Sequence, residues 1–221
     1  MGKKDLEQKI SQGREYRNLS VPLCVREKVD ENDDDYVVEG YATTFNERYL
    51  LFEYEGWDNK LYRVFEVVDS KAFDSCDMKD VIMQYNHEGR VYARTRNHTL
   101  DITPDEHGLK VRANLSGTEL GKQLFEEIKG GYTDRMSFGF TIEEDKRDSH
   151  EEDDVVTITR TITKIGKLYD VSAVSIPAND ATEISARSFQ DGFIKELESE
   201  RAKVEKREAL RLRIKIRSEG N

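Results

Sequence analysis

The stretch Gly130–Phe140, Gly-Gly-Tyr-Thr-Asp-Arg-Met-Ser-Phe-Gly-Phe, sets the tightest limit on what this chain can fold into. In an extended backbone successive side chains point to opposite faces, so Met136, Phe138 and Phe140 share one face and Ser137 and Gly139 share the other. The bulky face reads as core. The other carries a hydroxyl and a hydrogen, which leaves room for a second backbone to approach. A core strand with an incidental serine fits this pattern, and so does a strand that presents a nucleophile. A serine needs a base before it can attack at neutral pH. The chain offers His87, within Tyr85-Asn86-His87-Glu88-Gly89, and an acid to orient it in Asp170.

Short β-forming runs surround this stretch. Leu19–Val25 reads as an entering strand, and Tyr36–Phe45 is rich in β-formers, with Gly40 marking a bulge or a close backbone contact. Leu61–Val68 is a further strand, and Asp80–Asn86 is an apolar strand that delivers His87 and Glu88 at its end, where working side chains are commonly presented. Val91–Arg96, Thr99–Thr103 and Gly108–Leu115 follow as a meander. Ser116-Gly117-Thr118-Glu119 has the form of a capping box opening a helix with Leu120, Leu124, Phe125 and Ile128 on one face, closed by Gly130-Gly131. Glu143–Asp154 is so acidic that it reads as a water-facing loop. Val155–Thr163 alternates, and Lys164–Ile176 continues from it. Many short strands with few helices predict a mainly β, α+β fold built on a closed or nearly closed antiparallel barrel.

Charge sorts the chain into regions. Residues 3–17 are polar with weak helical spacing at Leu6 and Ile10. From Gln190 onward the sequence turns helical and charged, although Leu210–Arg217 alternates with period two and fits either an edge strand or a helix end. The division this predicts is a mobile N-terminal segment at 1–18, a domain at 19–188 and a charged helical tail at 189–221. The net charge of −10 argues against broad nucleic-acid binding, which wants basic patches. No apolar run reaches the roughly 18 residues that span a bilayer, and the opening residues lack the apolar core of a secretion signal. Cys24 and Cys76 are far apart and fit a reduced, intracellular protein. His87, His98 and His107 make no recognised metal spacing, so no metal and no cofactor are expected.

Asp170 is the third notable residue. In a strand Leu168, Asp170, Ser172, Val174 and Ile176 share a face, and a carboxylate among Val171, Ala173 and Val174 is costly to bury alone. It needs an imidazole or an arginine as partner, or a place at a solvated strand start.

Taken together, several pieces resemble the prohead (capsid-maturation) serine proteases of tailed bacteriophages, which are related in fold to the herpesvirus assembly proteases. They are Gly40-Tyr41-Ala42 followed by Phe45, then Asn86-His87-Glu88, then Glu106–Val111 before Ala113. The helix ending in Gly130-Gly131, Met136-Ser137-Phe138-Gly139-Phe140, and Asp170-Val171-Ser172 leading to Ile176-Pro177-Ala178 complete the set. The resemblance runs from about Val38 to Ala181.

The resemblance implies a barrel of the herpesvirus-protease type, with Ser137 as nucleophile, His87 as general base and a carboxylate as the orienting third member. The family usually has glutamate where this chain has Asp170. Glu88 is the second candidate for that role, and the herpesvirus enzymes use a histidine there, which keeps His98 and His107 in view. The implied activity is a serine endopeptidase that cleaves scaffold, or the scaffolding segment of the major capsid protein, and also itself. It would work in the host cytoplasm inside the immature capsid, with self-association as a dimer a further expectation. The alternative is a catalytically silent capsid scaffold protein of the same fold.

Overall fold

A computed structural model of the chain describes residues 13–26, 35–56, 58–175 and 180–219. Two compact units divide it, 1–183 and 184–221. Among the described residues the first unit holds eleven strands and one complete α-helix. The strands are β1 (Glu15–Pro22), β2 (Cys24–Val25), β3 (Val37–Thr44), β4 (Tyr49–Glu55), β5 (Leu61–Val68), β6 (Ile82–Tyr85), β7 (Glu88–Arg94), β8 (Leu100–Pro104), β9 (Gly108–Asn114), β10 (Arg135–Glu152) and β11 (Val155–Val174); the helix is α1 (Glu119–Lys129).

The expected closed or nearly closed antiparallel barrel is not what these strands form. They make two open sheets, one of seven strands running β1-β10-β11-β5-β4 with β6 and β7 attached through β11, and one of four running β2-β3-β9-β8. The ladder is also mixed. β11 pairs in parallel with β5 along Val155–Ile162, and again in parallel with β6 along Asp170–Ala173. One 20-residue strand thus templates two neighbours end to end. A period of two announces a strand and says nothing about its partner; of the meander expected over Val91–Leu115, β8 and β9 do pair antiparallel, while β7 pairs with β6 in the other sheet.

Three local readings also change. Glu143–Glu152 is the outer half of β10, paired with β11 as far as Glu152 opposite Val155, so the acidic run is water-facing but a strand and not a loop. Glu15–Arg17 are strand and not helix, because β1 lies antiparallel on β10; residues 3–12 fall outside the described residues. The N-cap of α1 is Thr118 and not Ser116, its side chain accepting from the Gly121 amide at 3.0 Å. Gly40 fits its expectation, since a Cβ there would stand 3.1 Å from the Pro22 carbonyl oxygen.

The core draws on both sheets and on α1. Met136, Phe138 and Phe140 of β10 pack in one buried cluster with Val38, Ala42, Leu109, Val111, Leu124, Ile128, Ile162 and Val171. Fully burying one such side chain contributes about 1.5–3 kcal/mol, so the bulky face of β10 anchors its polar face. The helix α2 (Asp180–Glu219) runs into the second unit, and Leu210–Arg217 belongs to it. Among the described residues no helix is long and apolar enough to cross a membrane.

Candidate active site

The register of the large sheet gathers the polar residues. On the β10–β11 ladder Gly139 stands opposite Asp170 and Ser137 opposite Ser172, so all four share the face opposite to Phe138 and Phe140. β6 lies on the other side of β11, with Ile82 beside Asp170 and Gln84 beside Ser172. The chain leaves β6 through a two-residue hairpin loop, Asn86-His87, whose flanking residues Tyr85 and Glu88 pair. Both loop residues take left-handed backbone, φ 51° and 59°, the geometry that suits the twist of a tight hairpin. Asparagine tolerates it; at His87 it costs of order 1–3 kcal/mol, a strain that persists where the surroundings over-determine the residue. Those surroundings are the Asn86 amide donating to the Ala173 carbonyl at 3.0 Å and the His87 amide donating to Ser172 Oγ at 3.2 Å.

The turn swings the imidazole back over the polar face. His87 Nδ1 is hydrogen-bonded to Asp170 Oδ1, and His87 Nε2 lies 2.5 Å from Ser137 Oγ. When Asp170 accepts the Nδ1 proton, the neutral ring presents Nε2 as the acceptor for the serine hydroxyl. Ser137, His87 and Asp170 are all at least 98% buried, at 0%, 1% and 2% exposure. A carboxylate this deep needs more than one partner. Ser172 Oγ donates to Asp170 Oδ1 at 3.3 Å, and Arg14 Nη1 lies 3.8 Å from Oδ2. Gly139 is required by this packing, since a Cβ there would stand 2.6 Å from Asp170 Oδ2 and 2.7 Å from Tyr16 Cε1.

The other candidates for the third position lie elsewhere. Glu88 is exposed at the start of β7. His98 is exposed, in left-handed backbone after a 3₁₀ turn, and His107 is exposed in the β8–β9 turn with its ring against Tyr41. Among the described residues no group of three or more His, Cys, Asp or Glu side chains is arranged to hold a metal ion.

Two partners of the site escaped the sequence reading. Ser172 was visible as a residue on the Asp170 face, but its service to both His87 and Asp170 depends on the β6 hairpin. The second is β1, which covers the site. Asn18 stands opposite Ser137 in the ladder, Ser137 Oγ lies 2.9 Å from the Arg17 carbonyl oxygen as a donor to it, and the Tyr16 ring meets the His87 ring edge-on at 4.6 Å. The one serine proton thus has two acceptors within reach, Nε2 and this carbonyl.

Beyond β1 a second buried polar cluster begins. Glu66 of β5 is 0% exposed and takes the Arg17 guanidinium in a fork, Nε to Oε1 at 2.6 Å and Nη2 to Oε2 at 2.9 Å. Tyr49 donates to Glu66 Oε1, and Arg160 Nη1 reaches Glu66 Oε2 at 3.4 Å and Glu15 Oε2 at 3.2 Å while its Nε holds Asp145. Burial disfavours the charge on Arg17, but Glu66 and Glu15 outweigh it and hold its pKa above the ordinary arginine range. Burial likewise pushes the Glu15 carboxyl up, and Arg17 and Arg160 outweigh it to hold it below the ordinary 4.5.

A buried serine, a histidine within hydrogen-bond reach of it, and a carboxylate on the far ring nitrogen form the arrangement that activates an alcohol for acyl transfer. No curated protein and no solved structure gives a significant match to the chain. A family model described as caudovirus prohead serine protease matches residues 23–193, more than three-quarters of the sequence. The chain belongs to the caudovirus prohead serine proteases.

Proposed function

We propose that Ser137 is the nucleophile of this protease, His87 its general base and Asp170 the group that orients and charge-balances the imidazole. The reading rests on one observation above all. His87 bridges the other two, with Nε2 at 2.5 Å from Ser137 Oγ and Nδ1 on Asp170.

The chemistry follows from that bridge. Ser137 Oγ bonds to the peptide carbonyl carbon while its proton passes to His87 Nε2, and the carbonyl π pair moves onto oxygen. As the tetrahedral intermediate collapses the C–N bond breaks, and the departing nitrogen takes the proton from Nε2. A water then repeats the sequence on the acyl-enzyme: it gives a proton to Nε2, attacks the ester carbon and returns Ser137 to its hydroxyl form. Asp170 stays ionised throughout and stabilises the imidazolium that forms at each half.

A caudovirus prohead protease acts on capsid or scaffold proteins inside the procapsid. For this chain we infer that the substrate is the scaffold, or the scaffolding segment of the major capsid protein, and that the enzyme also cuts itself. The backbone next to Ser137 suits a substrate strand added to β10, since β1 already lies there as one. Co-expression of the wild type with its capsid protein is expected to shorten that protein at discrete sites, and Ser137→Ala to leave it whole. Shortening that persists in Ser137→Ala would contradict the assignment.

A further inference from the structure

Resting on the reading of Ser137 as nucleophile, the way β1 occupies the site points to the residue that the enzyme selects. β1 meets β10 as an added substrate strand would, antiparallel and in register through Ser137. The backbone carbonyl nearest the nucleophile is that of Arg17, whose oxygen accepts a hydrogen bond from Ser137 Oγ at 2.9 Å. The residue before it, Tyr16, packs its ring on His87. In the nomenclature of a bound peptide, Arg17 therefore stands on the acyl side of the bond that faces the serine.

The Arg17 side chain does not point to water, as a surface arginine on an added strand would. It is 4% exposed, and besides Glu15 and the Tyr16 carbonyl of β1 itself it is received from outside the strand by Glu66 on β5, with Tyr49 of β4 and Arg160 of β11 behind it. A fully buried carboxylate presented edge-on matches the planar fork of a guanidinium, and matches a lysine ammonium or a neutral side chain poorly. The residue two positions earlier, Glu15, is met by Arg160 at 3.2 and 3.4 Å. When β1 is absent Arg160 still has Asp145 as a partner, and Glu66 still has Tyr49 and Arg160, so the pocket keeps its charges paired until a guest arrives.

We propose that Glu66 is the specificity-determining residue of this protease, selecting arginine as the residue whose carbonyl Ser137 attacks, and that Arg160 favours an acidic residue two positions before it. β1, reading Glu15-Tyr16-Arg17, is the built-in occupant of that subsite, and substrates compete with it.

Two peptide phosphonates differing at one side chain test this on the full-length wild type. One carries an arginine side chain at the phosphorus-bearing position and the other leucine, each behind Glu-Tyr, and the rate of adduct formation on Ser137 is read by intact mass. The arginine reagent is expected to label at least tenfold faster, and Glu66→Gln to shrink that ratio by tenfold or more. The wild-type comparison stands even if Glu66→Gln does not fold. Equal rates for the two reagents, while a simple fluorophosphonate labels Ser137, would overturn the proposal. An unchanged ratio in folded Glu66→Gln would remove Glu66 from it. Failure of the fluorophosphonate itself to label Ser137 would instead overturn the nucleophile assignment on which the proposal rests.

Discussion

The β10–β11 ladder is one continuous antiparallel ribbon with two very different halves. Its inner half, Arg135–Ile142 against Ile165–Val174, is buried and holds Ser137, Gly139, Asp170 and Ser172 on one face. The outer half, Glu144–Glu152 against Val155–Lys164, uses the same hydrogen-bond ladder, yet its β10 side is mostly exposed and carries acids, Lys146, Arg147 and His150 on both faces. The backbone is therefore not what makes a site. Burial is, because a polar group taken from water must find partners, and Ser137, Asp170, Ser172 and the His87 packed on them have found one another. In the outer half most polar groups of β10 have water, and the buried exception on β11, Arg160, again finds partners in Asp145, Glu15 and Glu66.

Substitutions of equal chemical size should consequently have very unequal effects in the two halves. The largest is expected from Ser137→Ala, which removes the proposed nucleophile and should lower kcat for capsid-protein cleavage by about 10⁶-fold, measured with purified protein and a capsid-derived peptide. Asp170→Asn keeps the shape but leaves the His87 ring free to adopt the wrong tautomer, and should cost about 10⁴-fold in kcat. If Asp170→Asn retained full activity, the inner half would have no claim to be a coupled site. Gly139→Ala places a methyl 2.6 Å from Asp170 Oδ2, and the displacement of that carboxylate should cost about 10²-fold.

Acidification tests the covering strand. Glu15 has its folded pKa held below 4.5, so the stabilisation it gives to β1 is complete above that value and is lost as pH falls from 4.5 toward the folded pKa. Arg17 and Arg160 attract it, while Glu66 and Asp145 share those partners and Tyr49 binds Glu66. Amide-exchange protection factors at Tyr16 and Arg17 should therefore drop below pH 4.5 while those of Val171 and Ala173 hold. Protection at β1 that stays flat to pH 3 would contradict this. The smallest effect is expected in the outer half, where Ser149→Ala should change stability by no more than about 0.5 kcal/mol in a urea titration and leave kcat unaltered.

How far the molecule was legible in its sequence follows the same divide. Met136, Phe138 and Phe140 announced a core-facing strand by their spacing alone, and that strand exists. Ser137, His87 and Asp170 were singled out by their order along the chain, and the three side chains meet in the fold. What could not be read was anything that depends on a distant partner. The parallel pairing of β11 with β5 and β6 has no periodic signature, which is why an antiparallel barrel was expected and two open sheets, the larger of them mixed, are found. Glu143–Glu152 looked like loop because neither face is apolar, and it is held as strand by its partner alone. Glu15 and Arg17 looked like parts of a polar helix, because Glu66, the group that buries Arg17, is 49 residues away.

The central claim is that His87 and Asp170 activate Ser137. The direct measurement is the rate at which a fluorophosphonate forms an adduct, followed by intact mass and located by peptide mapping, in wild type, Asp170→Asn and Ser137→Ala side by side. The account predicts a single adduct on Ser137 in the wild type, formation at least a hundredfold slower in Asp170→Asn, and none in Ser137→Ala. An adduct that forms at the same rate in Asp170→Asn, or that persists in Ser137→Ala, would contradict it.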